Sequence, residues 1–295
     1  MKKEELEKLK DKKTIKELLT FGIINLDKPA GMTSFEVSDY VRKKLNLNKT
    51  SHFGTLDPAV TGVLPIALSR ACKLTGFFLG EDKEYEGIMR IHEEVSLEEI
   101  TKVINEKFLG VITQLPPVRS SVKRQERQRE IKNFKLLKKD GKKISFLVEC
   151  QGGTYIRKLI HDLGEEMGIG AHMIKLKRIR AGIFKQEDMV SKEEFDKAVE
   201  EYENGNEEKL RKIIIPAEII SMIYPVFQLK KEEINRVLHG APINFTALEK
   251  KEEIEKGKKI CIFHKEQFIG MFKVINSEKI FAISEFVFQP IKEKE

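Results

Sequence analysis

The stretch TSHFGTLDPAVTGVLPIAL, Thr50 to Leu68, places one carboxylate, Asp57, between two glycines, Gly54 and Gly62, and then runs into Val63, Leu64, Pro65, Ile66, Ala67 and Leu68. A charge beside so apolar a run needs a cation or hydrogen bonds, because an unpaired carboxylate in low dielectric is expensive. Pro58 biases Asp57 away from the helical region, and the glycines let other backbone or a ligand come close. The acid is therefore presented on a shaped loop. The same residues also suit an ordinary turn in which the aspartate bonds to nearby backbone, and the stretch alone does not choose between turn and site.

Upstream, FGIINLDKPAGMTSFEV gives a short strand (Gly22 to Leu26), a Lys-Pro-x-Gly turn and a helix start. Thr33 with Glu36 makes a capping box, and Val37, Tyr40, Val41 and Leu45 follow at helical spacing, which puts Lys28 near the mouth of that helix. Downstream, Tyr85 to Ile91 alternates as a strand. Ser96 with Glu99 opens a helix whose Leu97, Ile100, Ile104 and Phe108 share a face, closed by Gly110. QLPPVRSSVKRQERQRE, starting at Gln114, carries two prolines that preclude a central strand and reads as a loop or arm that orders against something negative. Ile144 to Cys150 alternates again. In QGGTYIRKLIHDLGEEMG the Gly152-Gly153 pair makes a turn, Thr154 is the expected N-cap, and Ile156, Leu159, Ile160 and Leu163 form a buried stripe. Arg157 then falls in the first turn of a helix, where the dipole disfavours a cation, so it needs a partner; an ordinary salt bridge and a functional role both satisfy that need. Lys175 to Arg180 is another basic stretch, and Ser191 to Tyr202 reads as a capped helix. From about Tyr224 the texture changes to short strands, at Val226–Leu229, Ile260–Phe263, Phe268–Val274 and Ile280–Phe288, with one helix at Lys231–Leu238, as in a compact β-barrel-like module. The expected organisation is a charged extension over residues 1–20, a large unit over 21–220 and a small one over 221–295.

The 295 residues are 40% hydrophobic and 34% charged, a soluble globular balance with no apolar run long enough to span a bilayer and no apolar leader at the start. Three widely separated cysteines make a disulfide framework unlikely to be the plan and fit a reducing, cytoplasm-like compartment. Neither they nor the histidines show metal-ligand spacing, so no metal is expected. The formal net charge is +7, and nine Lys or Arg residues against two acids lie between Arg119 and Lys139. Such a stripe suits a polyanion such as RNA or DNA, whose counterions it would release, although a run of charge is more often only a solvated face.

KPAGMTS (Lys28 to Ser34), HFGTLDPAVTGVLP (His52 to Pro65), Glu84-Tyr85, GTYIRKL (Gly153 to Leu159) and GAHMIKLKRIRAGIF (Gly170 to Phe184) resemble, in order and spacing, the TruB superfamily of RNA pseudouridine synthases. Within it His52-Phe53-Gly54, Met89 to His92 and Pro116 to Arg124 are similar to the dyskerin-type branch, which is guided by H/ACA RNA. HGAP at His239 to Pro242 resembles a PUA RNA-binding domain. Ala59 departs from the pattern, standing where a lysine is usual.

The resemblance implies an α+β protein: the pseudouridine synthase fold, a mixed and mainly antiparallel sheet flanked by helices around a central cleft, plus a small β-barrel-like PUA domain. It implies an isomerase without cofactor. Asp57 would be the catalytic acid residue, acting at the anomeric carbon or at the neighbouring ribose carbon, and Arg157 would pair with it in a dry pocket. Tyr85 would stack on the target base, and His52 would fill the stack vacated by a flipped uridine. Lys28, Tyr155 and Leu176 would line the pocket. Arg119, Lys123, Arg124, Arg127 and Arg129 would form a mobile thumb loop over RNA. The implied partners are H/ACA guide RNA, substrate RNA and small accessory proteins: zinc-ribbon-like, β-barrel and kink-turn-binding. The location implied is cytoplasmic, or nucleolar in a eukaryote. A guide-independent tRNA T-loop enzyme and an inactive RNA-binding scaffold are the alternatives.

Overall fold

A computed structural model of the protein describes residues 1–116, 123–250 and 252–289. The chain divides into two compact units, Leu19–Ile214 and a second made of Met1–Leu18 with Ile215–Glu295. Among the described residues no helix is long and apolar enough to cross a membrane.

Helices α1 (Lys3–Lys12) and α2 (Ile15–Thr20) open the chain. The larger unit then follows as β1 (Gly22–Lys28), α3 (Ser34–Lys44), β2 (Thr50–His52), β3 (Thr61–Leu68), α4 (Thr75–Phe78), β4 (Lys83–Ile91), α5 (Leu97–Val103), β5 (Gly110–Gln114), β6 (Arg127–Asp140), β7 (Lys143–Cys150), α6 (Ile156–Glu166), β8 (Ala171–Ala181), β9 (Phe184–Lys185), α7 (Lys192–Glu203) and α8 (Glu208–Ile213). Its sheet runs β1-β3-β8-β4-β7-β6-β5, with β2 beside β3 and β9 beside β8. Only the β3/β8 pair in that order is parallel, so the sheet is mixed and mainly antiparallel. Helices α3, α5 and α7 start at the capping boxes Thr33/Glu36, Ser96/Glu99 and Ser191/Glu194, each hydroxyl accepting an otherwise orphaned backbone N–H.

Three expectations change. The arm after Gln114 becomes strand from Arg127 onward, and β6 is long and largely solvated, pairing with both β5 and β7. Its polar composition reads as an arm because most of its side chains face water. The helix at Ser96 passes into a wider π-type turn over Ile104–Phe108. Ile100, Ile104 and Phe108 are all buried at a spacing of four, which drifts about 40° per step in a regular α-helix; the wider turn takes up that drift. Finally, Tyr155 caps α6 and Thr154 does not; the Thr154 hydroxyl donates to the Gln151 carbonyl at 2.7 Å. The buried Gln114 side chain holds the cap from β5, accepting from Tyr155 N–H at 3.0 Å and donating to the Tyr155 carbonyl at 3.2 Å.

Strand β3 is the axis of the sheet, buried along nearly its whole length. Register places Lys28 of β1 opposite Gly62 of β3, Gly62 opposite Arg178 of β8, and Arg178 opposite Tyr85 of β4. Four residues that matter below thus share one rung. Gly62 has φ +102°, and a Cβ there would meet the Arg178 carbonyl oxygen at 2.2 Å. No side chain fits that crossing.

In the smaller unit, β10 (Ile214–Pro216) leads to β11 (Val226–Gln228), α9 (Ile234–Leu238), β12 (Ile243–Asn244), β13 (Lys259–His264), β14 (Gln267–Val274) and β15 (Ile280–Val287). The last five strands form a curled sheet in the order β11-β13-β14-β15-β12, around a core that includes Phe227, Ile260, Ile269, Phe272 and Phe281. The N-terminal helix belongs to this unit: Leu6 and Leu9 are buried, Lys12 pairs with Glu266 and Lys13 pairs with the buried Glu218. Burial pushes the Glu218 carboxyl up, and Lys13 opposes the shift.

Gly62→Ala is expected to cost more than about 2 kcal/mol in urea denaturation, because it combines a left-handed φ with a backbone clash. Gly141→Ala, in an open hairpin turn with φ +53° and nothing within 4 Å, should cost less.

Candidate active site

Asp57 sits on the loop between β2 and β3, and the loop is fixed by its backbone. Lys28 is fully buried, and its ammonium donates to the carbonyls of Pro29 (2.9 Å), Pro58 (3.1 Å) and Val60 (2.8 Å). Arg178 is equally buried; its Nε donates to the Val63 carbonyl at 2.8 Å and its Nη2 to the Gly54 carbonyl at 3.1 Å. The two cations therefore take carbonyls from both ends and the middle of the loop. Ser34, at the start of α3, completes the brace: its hydroxyl accepts from Leu56 N–H at 2.8 Å and donates to the Leu56 carbonyl at 3.1 Å. Gly31 N–H donates to the Pro58 carbonyl, and Val60 N–H to that of Asp57. Beneath the loop Phe53 stacks on Phe78 at 4.4 Å, and Phe184 packs against both, each such aromatic pair adding about 0.5–1.5 kcal/mol to simple burial.

On this frame the Asp57 carboxylate meets Arg157 of α6, Oδ2 to Nη2 at 3.2 Å. The cation that the helix dipole disfavours has found its anion. Both side chains are open to water, Asp57 at 55% and Arg157 at 60% exposure, so the pair of the free chain does not lie in a dry pocket. An exposed pair adds little stability. Tyr85 lies behind the loop in one apolar cluster with Leu56, Val60, Ile156 and Leu176, and at 8% exposure little of its ring reaches the surface. Burial raises the phenol above its ordinary value, with the Arg178 charge opposing, so it is a neutral phenol at pH 7.

His52 ends β2, half-buried, with Nδ1 lacking a hydrogen-bond partner among the described residues. Burial, then the Arg178 charge, lower its pKa. Lys28 spends its three protons on carbonyls and so holds the loop where a pocket-lining role was expected; burial lowers its pKa, and Asp57 opposes. Tyr155 is half-buried at the cap of α6, two residues before Arg157. Of the basic stretch, Arg119 lies outside the described residues. Lys123 and Arg124 are exposed; Arg127 and Arg129 stand on β6, each with a buried Nε donor lacking an acceptor among the described residues. The Arg129 guanidinium lies about 3.2 Å from where a Cβ on Gly153 would stand, beside the turn that leads to α6. Arg178, Ser34 and Gln114 went unread in the sequence.

Residues 42–156 match the family described as TruB family pseudouridylate synthase (N terminal domain), and residues 157–220 match the tRNA pseudouridylate synthase B C-terminal domain, so more than half of the chain is covered. The chain belongs to the TruB family of pseudouridine synthases. TruB-family relatives include the probable tRNA pseudouridine synthase B of Methanopyrus kandleri, 42% identical over 86% of this chain and 75% of that protein. Its counterpart from Methanocaldococcus jannaschii is 42% identical over 84% and 74%. Among solved structures, the chain superposes on one from a Cbf5-Nop10-Gar1 complex with a TM-score of 0.88 and 37% identity, covering 95% of this chain and 89% of that one. A chain from an H/ACA RNP bound to a substrate RNA containing 2'-deoxyuridine gives 0.85 and 35%, over 95% and 89%. In the TruB-family match Asp57 and Tyr85 fall in the first domain, and Arg157 opens the second.

Arg178→Met strands the Gly54 and Val63 carbonyls and should cost about 2–4 kcal/mol in urea denaturation. Arg157→Met should stay within about 0.5 kcal/mol of the parent yet lose at least about a hundredfold in turnover of uridine in RNA. Because His52 titrates below its ordinary 6.5, the unfolded chain takes up a proton below pH 6.5 that the folded chain resists. Stability therefore falls as pH drops from 6.5 towards the folded pKa, and denaturation of His52→Gln between about pH 7 and pH 5.5 should show a flatter decline.

Proposed function

We propose that this pseudouridine synthase is the catalytic subunit of an H/ACA-type ribonucleoprotein, converting guide-selected uridines in RNA with Asp57 acting on the ribose of a flipped nucleotide. The observation that carries the site assignment is the carboxylate–guanidinium pair of Asp57 and Arg157, with Asp57 on a loop locked by buried cations, one of which, Arg178, stands opposite Tyr85 in the sheet. The reaction is balanced within its substrate. The C1′–N1 bond breaks, the base turns, C1′ bonds to C5, C5 loses a proton and N1 gains one.

Cleavage builds oxocarbenium-like charge on the sugar, as in glycoside hydrolysis, but the base must return, so water has to be kept away. A single carboxylate meets that demand, either by attacking C1′ or by taking the C2′ proton, and Arg157 orients it. As a neutral phenol Tyr85 is a poor base for the C5 proton, and for its ring, 8% exposed in the free chain, to stack on the base, binding has to uncover it. His52, neutral and half-buried, fits the place vacated in the stack. Lys123, Arg124, Arg127 and Arg129 hold RNA phosphate.

Guidance is favoured over stand-alone action by likeness over nearly the whole chain to chains from Cbf5 complexes with Nop10 and Gar1 and from an H/ACA RNP bound to a substrate RNA. On this reading residues 21–220 are the catalytic domain, 221–295 a PUA domain gripping RNA, and proteins of the Nop10 and Gar1 kind, with a kink-turn binder, are partners. The names of the curated relatives support a second reading, a tRNA T-loop enzyme that needs no guide.

Tritium release from C5-labelled uridine in RNA, measured with and without guide RNA, tests both. Release that depends on the guide is expected. Equal release from bare tRNA would favour the second reading, and none in any format would leave an RNA-binding scaffold. Asp57→Asn should lower release at least about a hundredfold while RNA affinity stays within about threefold, because phosphate contacts lie elsewhere.

A further inference from the structure

Phe35 is 72% exposed, the most exposed of the large apolar side chains described. It pairs with no ring and no cation among the described residues; a single exposed apolar side chain is ordinary on a protein surface, so it is the position of this one that matters. Its place is fixed by a residue already described. Ser34, the neighbour before it, is buried with its hydroxyl clasped to both backbone groups of Leu56, and Leu56 is the neighbour of Asp57. Phe35 follows Ser34 by about 100° around α3, so one turned position separates the clasp from the ring, just as one residue separates it from the carboxylate. The neighbouring backbone carries further exposed residues. Ala30, Gly31 and Thr33 are exposed on one side, Pro58 and Ala59 on the other, and the hydrogen bond from Gly31 N–H to the Pro58 carbonyl joins them.

We propose that Phe35 is a stacking subsite for an unpaired nucleobase next to the reacting uridine, holding the strand while that uridine is turned towards Asp57. This rests on the assignment of Asp57 as the reacting carboxylate. A base flipped from a stack leaves its neighbours without a face on one side. An exposed aromatic ring supplies that face whatever the sequence, since every base has a π surface. The ring needs no ordering of a long side chain to do so, and α3 holds its backbone through the Thr33/Glu36 capping box. Ala59, small and exposed, leaves the approach open.

The test uses the full chain, with guide RNA where wild-type binding requires it, and substrate RNA carrying 2-aminopurine at one or other nucleotide flanking the uridine. In the wild-type protein the fluorescence at one of the two positions is quenched on binding. Phe35→Ala and Phe35→Leu should relieve that quench and weaken RNA binding about five- to a hundredfold, and Phe35→Trp should restore both. With an abasic site at the same nucleotide, wild type and Phe35→Ala should bind equally. Retention of the quench in Phe35→Ala, or an equal affinity loss on intact and abasic RNA, would overturn the subsite and point instead to a protein covering this ring. Tritium release by the wild type separates the two levels: with release present and the quench unmoved only the subsite falls, whereas absent release removes the underlying assignment with it.

Discussion

Two buried cations, neither in a salt bridge among the described residues, hold the Asp57 loop. Lys28 and Arg178 lie where charge is expensive, and what solvates them is the backbone of residues 54–63. The dependence runs both ways. Loop carbonyls that would otherwise need water are satisfied, and the cations have the acceptors that let them stay ionised in the core. Bonds of this kind to charged donors are each worth about 1.5–3 kcal/mol, so the loop has few alternative shapes. Asp57 itself contributes little to this lock.

The lock is also a matter of register. Lys28, Gly62, Arg178 and Tyr85 occupy one rung on four strands, and a slip of β8 by one residue would carry Arg178 to the opposite face. Gly62 makes the crossing narrow enough for the arginine to reach carbonyls on both sides of it. Fold and site are here the same set of contacts.

Much of this was legible from residue order. The capping boxes, the strands of the small module and the need of Arg157 for a partner all follow from local rules that depend on near neighbours. Arg178 was hidden because KLKRIR looks like surface charge, although strand alternation puts it on the same buried face as Leu176, two residues earlier. Lys28 was expected to line the pocket, and only the fold supplies the three carbonyls that bury it beneath the loop. The long strand β6 was lost to its own polarity, and the cap of α6 to a glutamine some forty positions away, at Gln114. The misses at Arg178, Lys28 and the cap of α6 are long-range partners.

A rigid loop carrying a wet ion pair has a further implication. In the resting chain solvent screens Asp57 from Arg157, and their full Coulomb strength appears only when something displaces that solvent. Among the described residues of the larger unit nothing folds over them, so on the proposed function the RNA being modified is itself the cover. A lone nucleoside, too small to seal the surface, leaves the electrostatics weak; a bound strand switches them on. Selectivity for polymer over monomer is in this sense a property of dielectric, set by how much water the guest can exclude.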